Sequence, residues 1–173
     1  MKIDVVKVGE LECNCYLLEK DNKVLVIDPG DEVNKIIDKI GDREVAGIII
    51  THYHFDHIGA LEILSNKYGV KVYNKNNMTE GKNTIDNFNF EVIYTPGHKE
   101  DCITVYFEDN KCMFCGDFIF RDNIGRCDLP GGNIKEMIAS IEKIKSYDKD
   151  IIIYPGHGDE TTLGYEINNN MYF

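Results

Sequence analysis

The chain has 173 residues, 43% hydrophobic and 28% charged, which fits one folded domain, 1–173, and leaves no room for a repeat array or a two-lobed enzyme. Its 30 acidic and 19 basic side chains give a formal net charge of −11. That field repels phosphate polyanions and anionic lipid, so nucleic acid and membrane surfaces are excluded as expected partners.

In chain order, Ile3 to Val8 alternates like a strand, Cys13 to Glu19 does likewise, and Asp21-Asn22 turns the chain into Lys23 to Asp28. This opening reads as a β-meander. Val33, Ile36, Ile37 and Ile40 recur at i, i+3, i+4 and i+7, an amphipathic helix that Gly41 stops. Val45 to Ile50 is a continuous apolar run, as expected of a strand buried on both faces, and it leads into Thr51-His52-Tyr53-His54-Phe55-Asp56-His57. One helix is predicted from about His57 to Tyr68, followed by a strand at Val70 to Tyr73. The Asn-rich stretch Asn74 to Asn89 carries little pattern. Phe90 to Tyr94 is a strand entering Pro96-Gly97-His98, and Ile103 to Phe107 and Lys111 to Cys115 flank Asp109-Asn110 as a hairpin. Ile134, Met137, Ile138, Ile141 and Ile144 mark a last helix, and Ile151 to Tyr154 a last strand before Pro155-Gly156-His157. All four prolines precede glycine, so sharp turns gather near strand ends, where layered α/β proteins carry their function.

No run approaches ~18 consecutive apolar residues, and Met1-Lys2-Ile3-Asp4 opens directly into alternating sequence rather than a charged segment followed by a greasy one. A cytoplasmic, unprocessed, membrane-free protein is expected, as a monomer or small homo-oligomer. The six cysteines, Cys13, Cys15, Cys102, Cys112, Cys115 and Cys127, are too few for a disulfide scaffold. Cys112 and Cys115 have CxxC spacing, but they sit in an apolar run with no second CxxC, so strand packing is the favoured reading.

All five histidines fall into two kinds of motif: the His52-x-His54-x-Asp56-His57 cluster and the two Pro-Gly-His turns ending at His98 and His157. Imidazole is the commonest protein metal ligand, and a chain that uses histidine only beside strand-end turns points to metal. His52 and His54, two apart in an extended loop, face the same side. Asp56 and His57, opening a helix, project toward a neighbouring position. The cluster therefore splits between two ions, with His98 and His157 each completing a set. Two adjacent dications, roughly 3.5 to 4 Å apart in such sites, need a bridging anion. Asp117, following an apolar strand and Gly116, is the best-placed carboxylate.

Thr51-His52-Tyr53-His54-Phe55-Asp56-His57, Pro96-Gly97-His98, Gly116-Asp117 and Pro155-Gly156-His157-Gly158 resemble, in order, the metal motifs of metallo-β-lactamase-fold hydrolases. The resemblance runs from Val26-Ile27-Asp28-Pro29-Gly30 onward. Gly125-Arg126-Cys127-Asp128-Leu129-Pro130-Gly131-Gly132 looks most like the short, single-domain glyoxalase II-like branch. The resemblance implies an α/β (α+β) fold, a four-layer αβ/βα sandwich. It also implies His52, His54 and His98 on a first metal, Asp56, His57 and His157 on a second, and Asp117 bridging. The cofactors are then two divalent metal ions, zinc foremost, with iron or manganese also compatible with nitrogen and oxygen ligands.

The implied activity is hydrolysis of a small acyl-thioester such as S-D-lactoylglutathione by a metal-activated hydroxide, with Asp56 and Asp117 as the catalytic carboxylates and Asp56 orienting the hydroxide or relaying a proton. Asp28 reads equally as the oxygen holding a ligating imidazole or as a turn cap before Pro29. Arg126 and Asp128 are expected as a buried pair shaping the site wall, the other reading being that Arg126 meets a substrate carboxylate, and one of Tyr53 and Phe55 is expected to pack under its loop while the other reaches the pocket. Tyr165 and Met171-Tyr172-Phe173 read as packing or surface.

Two-domain relatives add a helical glutathione-binding domain, whereas the segment from Gly158 to Tyr165 resembles the short branch. A β-lactamase of the common dizinc type would carry Cys where Asp117 stands. The superfamily's nucleases would need a basic surface. The alternatives are a mononuclear iron persulfide dioxygenase, a lactonase of the same fold, or a non-catalytic metal-binding protein.

Overall fold

The computed structural model describes residues 1–173. Strands β1 (Lys2–Val8), β2 (Cys13–Lys20) and β3 (Lys23–Ile27) form the expected meander. Helix α1 (Val33–Ile40) then returns the chain so that β4 (Glu44–Ile49) pairs parallel to β3. Next come α2 (Phe55–Ile58), α3 (Leu61–Tyr68) and the two-residue β5 (Val72–Tyr73), which closes a first sheet of order β1-β2-β3-β4-β5.

The chain crosses to a second sheet with β6 (Gly81–Ile85), β7 (Phe88–Tyr94), β8 (Ile103–Phe107) and β9 (Cys112–Gly116), each antiparallel to the one before. A small ribbon of β10 (Ile119–Phe120) and β11 (Asn123–Ile124) follows, then α4 (Ile134–Ile144), β12 (Ile152–Pro155) parallel to β9, β13 (Thr161–Thr162) and α5 (Leu163–Asn169). The second sheet has the order β13-β12-β9-β8-β7-β6. No helix is long and apolar enough to cross a membrane.

Strand alternation sorts the apolar residues into three layers of contact. Leu18, Leu25, Ile27 and Ile49 from the first sheet meet Phe88, Val105 and Phe114 from the second, making the core between the sheets. Their neighbours Leu17, Val24, Val26 and Ile48 point the other way, onto Ile36 and Ile40 of α1 and Leu64 of α3. On the outer face of the second sheet, Met113, Cys115 and Ile153 meet Met137, Ile141 and Ile144 of α4. Helix, sheet, sheet, helix is the four-layer αβ/βα arrangement expected, and both sheets are apolar on both faces because each is covered twice.

Four expectations need correction. The single helix over His57 to Tyr68 is two helices, because the Ala60 amide donates to the Pro29 carbonyl at 3.0 Å instead of continuing the helical ladder. The unpatterned Asn74 to Asn89 stretch contains β6, whose alternation is weak in apolar residues because it is an edge strand with one solvated face. Asp109-Asn110 does not form a two-residue hairpin turn: Glu108–Asn110 is a 3₁₀ turn, and Lys111 adopts φ 47° before Phe107 pairs with Cys112. The β10–β11 ribbon, β13 and α5 are not legible in the sequence, the strands being too short for a readable period and the seven-residue helix burying Glu166 beside Leu163. All six cysteines are free; Cys112 packs between the sheets and Cys115 under α4, so the CxxC pair faces opposite sides of β9 and serves packing.

Candidate metal centre

Four strand ends deliver the predicted residues to one edge of the sandwich. β4 leads into the loop carrying His52 and His54 and on into α2, which carries Asp56 and His57 in its single turn; β7 leads to His98, β9 to Asp117 and β12 to His157. The two sheets are joined there by backbone bonds from Ile103 N–H to the Thr51 carbonyl, 3.0 Å, and from Asn14 N–H to the Gly156 carbonyl, 2.7 Å.

Four of the five imidazoles are turned by an oxygen behind them. His98 Nδ1–H donates to the Arg126 carbonyl at 2.7 Å and His157 Nδ1–H to the Leu11 carbonyl at 2.9 Å. His57 Nδ1–H donates to Asp28 Oδ2 at 3.0 Å, and His52 Nδ1–H to Thr51 Oγ1 at 3.2 Å. Thr51 in turn donates its hydroxyl to Asp28 Oδ2 and its amide to Asp28 Oδ1, at 2.6 and 2.7 Å. These partners assign the tautomers: four histidines present an Nε2 lone pair to the interior, and Asp28 is the imidazole-holding oxygen of its two readings. His54 alone turns Nδ1 inward, lying 3.1 Å from His52 Nε2 and 2.9 Å from His98 Nε2.

All seven predicted side chains converge. His52, His54, His98 and Asp117 offer donor atoms within 4.8 Å of one another. Beside them, Asp56 Oδ2 is 3.2 Å from His157 Nε2 and 3.8 Å from His57 Nε2. Asp117 stands between the groups: Oδ2 is 3.6 Å from His98 Nε2, while Oδ1 is 3.3 Å from His57 Nε2 and 3.6 Å from His157 Nε2. Donors about 2.05 Å from a tetrahedral ion are roughly 3.3 Å apart, so spacings of 2.9 to 3.8 Å suit a shared cation. Buried His57 Nε2 and Asp117 Oδ1 make no hydrogen bond, and inward lone pairs cannot satisfy one another. The residues fit divalent metal.

The metal-free electrostatics divide the histidines into two groups. Burial, with His57, His98 and His54 alongside, drives the His52 imidazole well below its ordinary pKa, and burial lowers His54 too, so both favour the neutral ligating form. Burial alone would lower His57, but the Asp28 and Asp117 carboxylates outweigh it and raise its pKa well above the usual value. His157 is also raised, burial being overcome by Asp56 and Asp117. Burial would raise Asp117 and Asp56, yet the surrounding imidazoles hold both carboxyls below the usual range.

Two glycines permit this crowding. A Cβ at Gly156 would stand 2.2 Å from Asp117 Oδ1 and 2.7 Å from His57 Cε1, and Gly116 has φ 52° with its missing Cβ 2.2 Å from Thr51 Oγ1. Sequence reasoning missed Asn14 and Tyr16. Asn14 Nδ2 donates to the Pro155 and Gly158 carbonyls at 3.1 and 2.9 Å, and the Tyr16 hydroxyl donates to Pro155 at 2.5 Å, so β2 anchors the His157 turn. The available signal was a lone Asn inside the apolar run from Cys13 to Leu18. Cys13 was also missed; its Sγ is 3.6 Å from His57 Nδ1, behind the ring, and burial pushes its thiol up to about 11, so it backs the imidazole as a neutral thiol.

A cavity of about 710 Å³ opens over the cluster, bordered by Leu11, Phe55, Phe120, Ile124, Arg126 and Leu129. Arg126 and Asp128 pair in bidentate fashion at 2.7 and 2.8 Å, but their side chains are 62% and 68% exposed, so the expected buried pair is a surface one. Phe55 reaches the cavity. Tyr53, expected to pack under the loop, is instead partly exposed, and its hydroxyl accepts from Asn74 Nδ2 at 2.9 Å.

A model of the metallo-beta-lactamase superfamily matches residues 8–77 and 80–157. The chain belongs to that superfamily. Family and donor set together make it a metallo-hydrolase of the superfamily. Among its relatives, the hydroxyacylglutathione hydrolase GloC of Haemophilus influenzae is 31% identical, over 99% of this chain and 98% of that protein. The BLEG-1 B3 metallo-beta-lactamase superposes with a TM-score of 0.95 at 28% identity, covering 99% of both chains. The protein TTHA1623, solved in a di-iron-bound form, does so with a TM-score of 0.90 at 30% identity, over 98% of this chain and 100% of that one.

Proposed function

We propose that this chain is a glyoxalase II-like thioesterase, a single catalytic domain over 1–173. It hydrolyses small acyl-thioesters of the S-D-lactoylglutathione class in the cytoplasm with two divalent ions. His52, His54 and His98 hold the first ion, Asp56, His57 and His157 the second, and Asp117 spans the two. Zinc is the first choice of metal; iron, suggested by the di-iron-bound form of TTHA1623, and manganese are the others. The observation that carries the reading is Asp117, whose two oxygens turn toward different donor sets.

Bound divalent ions supply a polarised carbonyl and lower the pKa of a coordinated water toward ~7. The chain's own residues do the rest. Asp28, Thr51 and the Leu11 and Arg126 carbonyls hold four of the five rings in their ligating orientation. Asp56, ionised because the imidazoles depress its pKa, presents Oδ2 at the cavity floor as a proton acceptor that orients the attacking water. No side-chain nucleophile is required, and the buried Cys13 thiol does not supply one.

Metal content and turnover test this together. The metal-replete protein, assayed against S-D-lactoyl thioesters, lactones, a β-lactam and a persulfide, is expected to carry two ions per chain and to favour the thioester, with no oxygen uptake. One iron per chain with persulfide-dependent oxygen uptake would replace the reading with the dioxygenase; preference for a lactone or β-lactam would replace the substrate.

A further inference from the structure

The wall around the candidate metal cluster is apolar and exposed. Phe55 is 76% exposed and Leu11 54%, values unusual for large apolar side chains, and both border the cavity with Leu129, Phe120 and Ile124. They are held there by the site itself: the Leu11 carbonyl accepts from His157, Phe55 precedes Asp56 in α2, and the Phe120 ring lies 6.2 Å from that of His157. Across the Leu11–Phe55 ridge lies a second recess of about 450 Å³ that includes Glu10 and Asp31.

Positive charge is scarce around both recesses. Arg126 is the one Lys or Arg bordering either, and Asp128 already holds its guanidinium through two bonds. Lys99, near the His54 loop, is committed to the Tyr53 carbonyl and Asp101. Apart from the proposed metal ligands, the remaining formal charges on the walls are the acidic Glu10 and Asp31, and the chain carries −11 overall. A carrier with several carboxylates or phosphates meets no free cation on these walls, whereas an apolar body covers side chains that now face water.

We infer that the substrate presents an uncharged, apolar body to Leu11, Phe55, Phe120 and Leu129: a medium-chain or aromatic acyl thioester of a neutral thiol. This rests on the thioesterase reading, keeping its reaction but changing its preferred substrate: S-D-lactoylglutathione, whose carrier has two carboxylates, is then a disfavoured thioester. Specificity comes from apolar cover at the rim, while the buried donors do the chemistry.

The test keeps one acyl group and changes the carrier. With metal-replete full-length protein, kcat/KM for S-hexanoyl-N-acetylcysteamine is expected to exceed that for S-hexanoylglutathione by at least about tenfold. Calorimetry with the uncleavable thioethers S-hexyl-N-acetylcysteamine and S-hexylglutathione is expected to give the same order of affinity without turnover. Leu11→Ser and Phe55→Ser, both at exposed positions, should each weaken the neutral thioether by about five- to tenfold. Equal or tighter binding of S-hexylglutathione, or its selective loss in Arg126→Ala, overturns the inference, as does unchanged affinity in both serine variants. If no thioester is cleaved although the neutral thioether binds preferentially, the reaction proposed above fails and the apolar-ligand inference survives.

Discussion

At the scale of single residues, Asp117 carries most of the argument, because one carboxylate serves two donor groups whose histidines are otherwise tied to separate oxygens. Asp117→Ala is expected to lose metal and activity together, read by elemental analysis of the purified protein beside its turnover. Retention of both ions at full rate would refute the ligand assignment. Asp56→Asn keeps the shape of the side chain but removes its charge, so kcat should fall about 100-fold or more while the melting temperature of the metal-free chain changes little. Gly156 belongs to the same scale: with no room for a methyl beside Asp117 and His57, alanine there must displace one of them.

At the scale of elements, the site depends on how loops are pinned to rigid strands. β2 reaches across the sheet interface through Asn14 and Tyr16 to hold the turn that ends β12. Asn14→Ala removes two hydrogen bonds from Nδ2, one buried and one partly buried, and should cost about 1 to 3 kcal/mol, measured by denaturant unfolding, and should weaken zinc binding in a competition titration. A variant destabilised with wild-type metal affinity would show that the anchor is merely structural. Helix α4 packs on the His98 turn, where the Asn133 amide donates to the Gly97 carbonyl at 2.7 Å, a backbone bond that alanine keeps; the Asn133 side chain caps the helix by accepting from the Lys135 and Glu136 amides at 3.0 and 3.4 Å. Asn133→Ala should lose about 1 kcal/mol with metal content unaltered.

At the scale of the whole molecule, the acidic balance sets how the fold answers pH. Burial would raise the Asp4 carboxyl, but hydrogen bonds from Lys2 and Lys39 win and lower it; Lys143, against a smaller effect of burial, lowers Glu80. A carboxylate depressed in the folded state contributes stability that is fully present above its unfolded pKa of about 4 and is lost as pH falls through the folded value. Asp4→Asn is therefore expected to destabilise the metal-free chain at pH 7, and the difference from wild type in thermal melts should shrink toward pH 3. A gap that widens in acid would contradict this. Metal acts on the same balance from outside: stripping with a chelator removes a stabilisation of about 4 kcal/mol if the ions were present at 1,000 times their Kd, so the melting temperature should drop and recover on readdition.

The sequence by itself determined most strands and the identity of the converging side chains, because apolar periodicity records which faces are buried and because histidine, used only at strand-end turns, had no other role to play; the layer order came from the resemblance of the metal motifs to metallo-β-lactamase-fold hydrolases. The sequence also located α1 and α4 by their i, i+3, i+4 pattern, left α5 unread, and missed where α2 ends because that break is made by a distant carbonyl, Pro29, rather than by any residue in the helix. Only the tertiary structure decided which oxygen turns each of four imidazoles, that Asp28 serves His57 and Thr51, that Asn14 anchors the His157 turn, and that Arg126 and Asp128 lie in solvent. Apart from Thr51–His52 and Arg126–Asp128, these contacts join residues 23 to 146 positions apart. Local sequence has no record of them, since hydrogen bonds over such separations are set by how two packed sheets bring strand ends together.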